Sequence, residues 1–244
     1  MIRGDGFAVV APGEGTAEAL PSGNGSIRVT IDDAAGCRNL VQRLVEIRGP
    51  SGEEYATPGS EEIGYIASGA GRLLADDQTL ALEEGTGFLV PPGTPFQLLP
   101  DGAPLIVVSV LSPPPGSAES VSVGPAVRCV AVRAAQRERL PAGESRYFKL
   151  LVDPSVGCRR VTQFVGFIEQ SRAPEHVHTY EEVIHVLDGE GTLYAAGERI
   201  PFARGASIFL APGTPHCLGN GARGTLQLLG VFSPAGSPAD KREQ

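Results

Sequence analysis

Two stretches of this chain repeat one another, GCRNLVQRLVEI from Gly36 and GCRRVTQFVGFI from Gly157, at an offset of 121 residues. Cys37, Arg38, Gln42 and Ile47 recur as Cys158, Arg159, Gln163 and Ile168. Further along, PPGTPF ending at Phe96 is answered by APGTPH ending at His216, now at an offset of 120. Between them Glu61, Glu62, Gly69, Gly71 and Gly85 recur as Glu181, Glu182, Gly189, Gly191 and Gly205. The offset shortens because four residues separate Thr57 from Glu62, whereas three separate His178 from Glu182. LSPPPGS and FSPAGSP close the two halves in the same way. A period sustained over most of 244 residues means a duplicated unit, so any fold inferred for one half must serve for both.

Each unit consists of short runs rich in β-branched and aromatic residues, such as VTQFVGFI, EVIHVL, SIFLA and TLQLLGVF. Turn sequences such as DGEG, AAGE and APGTP bound them, and the 32 glycines and 21 prolines punctuate these runs rather than forming a tract. Little reads as helix. The pattern predicts an all-β protein of two tandem jelly-roll barrels, each of about eight strands. The first unit is placed at residues 1–116 and the second at 117–244. Residues 112–125, rich in Pro, Ser and Gly, have the composition of a linker. The closing SPADKREQ is expected to fray.

The formal charge is −8, from 20 basic and 28 acidic residues, with no basic cluster. A surface of that sign repels phosphate backbones, which argues against a nucleic-acid partner. No apolar run approaches the length of a membrane span, and the N-terminal stretch lacks a signal-peptide pattern. Cys37, Cys129, Cys158 and Cys217 show no CxxC spacing and are read as reduced thiols of a cytoplasmic protein.

All four histidines lie between residues 176 and 216. His176 and His178, two apart, face the same side of a strand. With Glu182 and His216 they make three imidazoles and one carboxylate, a ligand set suited to one divalent first-row metal. Fe or Mn is favoured; Zn, Ni and Co also suit it. The plain alternative is that these histidines are satisfied polar residues of a core, which four ligand types in one register and no histidine elsewhere disfavour.

The segment PEHVHTYEEVIHVLDG resembles the first cupin motif, with His176, His178, Glu182 and Gly189 in its spacing. GASIFLAPGTPHCLGN is similar to the second, with Gly205, Gly213, His216 and Asn220 in register and Ala211 replacing its usual first proline. The likeness extends over both halves, so the chain resembles the bicupins, whose barrels are double-stranded β-helices. In the first half the four ligand positions hold Tyr55, Thr57, Glu62 and Phe96. Phenylalanine cannot coordinate and neutral threonine does so poorly, so the first barrel is expected to be metal-free.

Around the site, His185 and Cys217 are expected to point away from the metal face and Asn220 to bond a turn. Arg172, Glu175, Tyr180 and Glu181 flank the barrel mouth, and Gln163 and Tyr194 are candidates for the pocket interior. The resemblance implies a metal-dependent enzyme for a small oxygen-rich substrate, with dioxygenase the favoured chemistry and Glu182 able to act as a base. An oxygen-independent isomerase, decarboxylase or hydrolase is the alternative. Oxalate decarboxylases carry metal in both barrels, and the ligand pattern of ureidoglycine aminohydrolases differs at three positions. A non-catalytic small-ligand barrel is the remaining reading. The expected assembly is a monomer with an internal pseudo-dimer, or a homodimer.

Overall fold

A computed structural model describes residues 1–20, 23–49, 55–119, 128–143, 145–221, 224–238 and 242–243. Within these the chain is almost entirely β-strand, with three single-turn 3-10 helices, and no helix is long and apolar enough to cross a membrane. Each half forms a larger and a smaller antiparallel sheet. In the second half, the strands Ser207–Leu210, Glu181–Asp188, Leu226–Ser233, Thr162–Ile168 and Arg146–Val152 lie side by side. The smaller sheet there orders Glu198–Ala203, Glu190–Ala195, His216–Asn220 and His176–Val177. The first half repeats the plan with Thr86–Val90, Glu61–Ser68, Leu105–Ser112, Val41–Ile47 and Gly25–Ile31. These are the tandem jelly-roll barrels that the repeat implies.

The repeat can be followed down to single turns. Asp32 caps the 3-10 turn Asp33–Ala35 by accepting from Ala34 N at 2.9 Å, and Asp153 caps Pro154–Val156 by accepting from Ser155 N at 2.8 Å. Both turns end on a glycine with left-handed backbone, Gly36 (φ 94°) and Gly157 (φ 99°), a conformation that costs a side-chain-bearing residue free energy. Each glycine delivers the cysteine that follows, and the backbone N–H groups after it, to a carboxylate of the other half. Glu181 accepts from Arg38 N at 3.1 Å, Asn39 N at 2.7 Å and Cys37 Sγ at 3.6 Å. Reciprocally, Glu61 accepts from Arg159 N at 2.8 Å, Arg160 N at 3.0 Å and Cys158 Sγ at 3.4 Å. Burial first, and the neighbouring glutamate second, push both thiols far above the ordinary cysteine range.

The same two-fold logic governs the core. One apolar cluster unites residues of both halves, among them Ile63, Leu89 and Val110 from the first and Leu151, Val183 and Val231 from the second. Two further clusters fill the barrels separately. The halves also exchange strands. Phe7–Val10 pairs with Ser207–Leu210, and Val130–Arg133 pairs with Thr86–Val90. An N-terminal strand of each repeat thus extends the other half's sheet. Of the expected linker, residues 120–125 lie outside the described residues. The tail differs from expectation: Arg242–Glu243 pairs with His176–Val177, so this backbone gains ladder partners.

Replacing Glu181 by Ala should leave buried N–H donors without an acceptor and cost about 2–4 kcal/mol, read as a lower urea midpoint. Glu61→Ala should cost a similar amount, although it stands in the other barrel. A loss near zero in either would show that these carboxylates do not join the halves.

Candidate metal centre

His176 and His216 are cross-strand partners in the smaller sheet of the second barrel. His178 follows two residues after His176, and Glu182 stands on the adjoining strand Glu181–Asp188. All four side chains are buried. One nitrogen from each of the three imidazoles can be chosen so that all lie within 4.8 Å of one another. Glu182 Oε2 is 3.9 Å from His178 Nε2, which sets the carboxylate at the edge of the cluster.

The ring orientations are held by the backbone. His176 Nδ1 donates to Pro174 O at 3.1 Å, and His216 Nδ1 donates to Thr214 O at 2.9 Å. A carbonyl can only accept, so each neutral ring carries its proton on Nδ1 and presents a lone pair on Nε2, the tautomer a metal requires. Tyr180 lies between His178 and Phe232, with ring centroids 4.6 and 4.3 Å away and planes within 18° of parallel. The donor set therefore fits a divalent transition ion: oriented imidazoles, an adjacent carboxylate and no thiolate.

The cluster opens into a cavity of about 100 Å³. Its walls are mainly apolar, with Phe148, Phe164, Phe167, Ile184 and Leu228 prominent, and Pro238 lines it from the C-terminal segment. Arg146 also lines it, a residue that sequence reasoning missed because nothing in its local pattern separates it from an ordinary strand residue. Only its strand's place beside Thr162–Ile168 brings it here.

Of the other candidates, Tyr180 lines the cavity, whereas Glu181 faces the first half. Along Glu181–Asp188 the side chains alternate, Glu182 and Ile184 toward the cavity and Glu181 and His185 away from it. His185 Nδ1 meets Ser207 Oγ at 3.2 Å, and Ser207 also accepts from Gln42 Nε2 at 2.8 Å. Burial pushes the His185 pKa down to about 4. Cys217 Sγ accepts from Arg172 Nε at 3.4 Å, and Asn220 Nδ2 donates to Ile168 O and Gly224 O, both at 2.8 Å. Gln163 and Tyr194 do not line the metal cavity. Gln163 Nε2 donates to Gly64 O of the first half at 3.2 Å, and Tyr194 carries the Arg172 guanidinium 3.7 Å above its ring in a separate depression that includes Glu175. Both departures arise because the sequence fixes alternation along a strand but not which face meets the neighbouring barrel.

The first barrel has a matching cavity of about 110 Å³, lined by Tyr55, Thr57, Glu62 and Phe96. Here Glu62 Oε1 accepts from Arg43 Nη2 at 2.8 Å and Ser109 Oγ at 2.7 Å. Arg43 and Ser109 are cross-strand partners, and the repeat places Phe164 and Gly230, also partners, at their positions. A Cβ at Gly230 would fall 2.3 Å from the Phe164 ring, so the glycine makes room for the aromatic side chain. The guanidinium that pairs with Glu62 thus has no counterpart at the equivalent position of the second barrel, where the repeated carboxylate stands beside histidines instead.

A family model described as Cupin domain matches residues 164–232, and one described as AraC-like ligand binding domain matches residues 51–151. A protein of Aquifex aeolicus is 32% identical over 75 residues, covering 31% of this chain and 61% of that protein. The chain therefore matches less than two thirds of that relative's length. Among solved structures, protein Ylba of E. coli superposes with a TM-score of 0.75 at 19% identity, covering 95% of this chain and 93% of that one. A protein of Pseudomonas aeruginosa described as glyoxylate-induced gives 0.80 at 17% identity, covering 100% and 93%. Oxalate decarboxylase of Bacillus subtilis gives 0.78 at 12% identity, covering 97% and 79%. At these identities the structural likenesses establish the fold.

Metal analysis by mass spectrometry should find about one equivalent of a divalent transition metal in tag-free protein and less than about a tenth of that in His178→Ala. Two equivalents would overturn the assignment of a metal-free first barrel. Acid should also weaken the fold through His185. The folded protein keeps this ring neutral down to about pH 4, whereas the unfolded chain takes up its proton near 6.5. The unfolded state therefore binds more protons across that window, and stability falls as pH drops from about 6.5 to 4, by about 3 kcal/mol. Denaturation curves of His185→Gln should lack this part of the acid limb.

Proposed function

The chain belongs to the cupin superfamily as a two-barrel protein, and from that premise we propose that its second barrel is a metal-dependent enzyme for a small oxygen-bearing organic molecule, with dioxygenation as its reaction. The observation that carries this reading is the convergence of His176, His178 and His216 on a cavity otherwise walled by aromatic and aliphatic side chains. His176, His178, His216 and Glu182 would hold the ion. When bound, a divalent metal supplies Lewis acidity toward an oxygen ligand and, as iron or manganese, reactivity with dioxygen.

The chain's own residues account for the rest. Phe148, Phe164 and Phe167 exclude water and offer an apolar surface to both the substrate body and dioxygen. The carbonyls of Pro174 and Thr214 fix two imidazole rings, and the stack on Tyr180 fixes the plane of the third. Glu182 is the one carboxylate among the described residues lining the cavity. It takes the proton from a substrate hydroxyl or enol and keeps it in a water-poor site.

That same carboxylate favours a second reading, oxygen-independent decarboxylation, isomerisation or hydrolysis, in which Glu182 exchanges a proton with a carbon or leaving group. The likeness in fold to an oxalate decarboxylase is compatible with it. Protein reconstituted with Fe(II) or Mn(II) should consume dioxygen in step with substrate on a panel of enediols, catechols and small hydroxy acids. His178→Ala should abolish the uptake, and Glu182→Gln should slow it about 100-fold or more. Turnover that persists without oxygen would support the second reading. Binding without turnover by any metal form would overturn both in favour of a non-catalytic barrel.

A further inference from the structure

The two barrels carry their cavity arginines at different positions and in different states. In the first, Arg43 is ion-paired with Glu62 at 2.8 Å. In the second, Arg146 is the one Arg or Lys among the described residues lining the cavity. Its Nη2 donates to the Leu218 carbonyl at 2.7 Å, and no carboxylate among the described residues pairs with it. Gly25 holds the Arg146 position in the first barrel, where a Cβ would fall 2.0 Å from Glu46 O, so no side chain fits there. Among the described residues, a cavity guanidinium without a carboxylate partner therefore belongs to the histidine-bearing barrel alone.

A half-buried arginine facing a mainly apolar cavity gives up part of its hydration, and a neutral carbonyl replaces it only in part. Burial correspondingly pulls its pKa down from the ordinary range, though it stays a cation. An anion in the cavity would supply the missing counter-charge through a charge-assisted hydrogen bond. The distance also suits one molecule reaching both ends. Leu218, which holds Arg146, is two residues beyond His216 on one strand, about 7 Å along it.

We infer that Arg146 anchors the carboxylate of the substrate, so that the site selects small carboxylic acids with a short apolar body and presents their far end to the histidine cluster. This rests on the proposed enzyme site for its purpose but not for its test. The probes are butyrate and its neutral isostere butyramide, titrated by ligand-observed NMR against the full-length protein, both stripped of metal by a chelator and reloaded with Zn(II). Wild type should bind butyrate more tightly than butyramide in both forms. Arg146→Gln should weaken butyrate about ten- to a hundred-fold while leaving butyramide affinity and metal content unchanged, and Arg146→Lys should recover part of the loss. Equal affinity for acid and amide, failure to bind either, or butyrate binding that survives Arg146→Gln and disappears with the metal would overturn the inference. Equal weakening of both probes by Arg146→Gln would also overturn it, reducing Arg146 to a brace for Leu218. A protein that takes up no metal yet still discriminates acid from amide through Arg146 would sink the enzyme reading and leave this one standing.

Discussion

Everything in this molecule hangs on two carboxylates that each reach out of their own barrel. Glu61 and Glu181 accept hydrogen bonds from the cysteine-containing loop of the opposite half, and the loops are shaped for them by left-handed glycines. A buried carboxylate is tolerable only when its lone pairs are filled, and here the filling comes from backbone N–H groups that the other half alone can offer. The shared apolar cluster around these contacts has the character of a domain core cut in half. The site strand Glu181–Asp188 is therefore fixed twice, with Glu181 clamped to the first barrel and Glu182 turned the opposite way into the cavity.

The contrast between the cavities follows from a few substitutions on one scaffold. Both barrels place a glutamate at the same point, and what differs is the source of compensating positive charge. In the first, Arg43 supplies it from within the sheet, and the neutral Ser109 hydroxyl adds a hydrogen bond. In the second, Phe164 and Gly230 leave those positions apolar, and the residues facing Glu182 are imidazoles able to share an ion. In one barrel the glutamate is paired with a guanidinium, and in the other it stands beside imidazoles, so the two cavities balance the same carboxylate in different ways.

Much of this was legible in the sequence for a definite reason. Glycine turns, paired motifs and strand alternation are local signals, so the barrels, the histidine trio and the outward turn of His185 and Cys217 could be read directly. The positions repeated most faithfully, Cys37 with Cys158 and Glu61 with Glu181, turned out to join the halves, a role visible only once two copies face each other. Gln163 and Tyr194 went astray because alternation says which residues share a face and not what that face meets. Arg146 gave no signal at all, since its importance comes from a neighbouring strand. The C-terminal pairing of Arg242–Glu243 with His176–Val177 was hidden for the same reason.

The exchange of N-terminal strands has a consequence for how such a duplicated chain can change over time. Because Phe7–Val10 completes the sheet of the second half and Val130–Arg133 that of the first, neither copy carries a complete set of its own strands. A deletion that removed the first copy would also strip an edge from the histidine-bearing one. The first cavity can thus differ in every histidine position and keep only its glutamate, while its outline still supplies the other barrel's missing part. The ancestral copies have become inseparable lineages inside one gene, free to diverge in chemistry and bound to each other in shape.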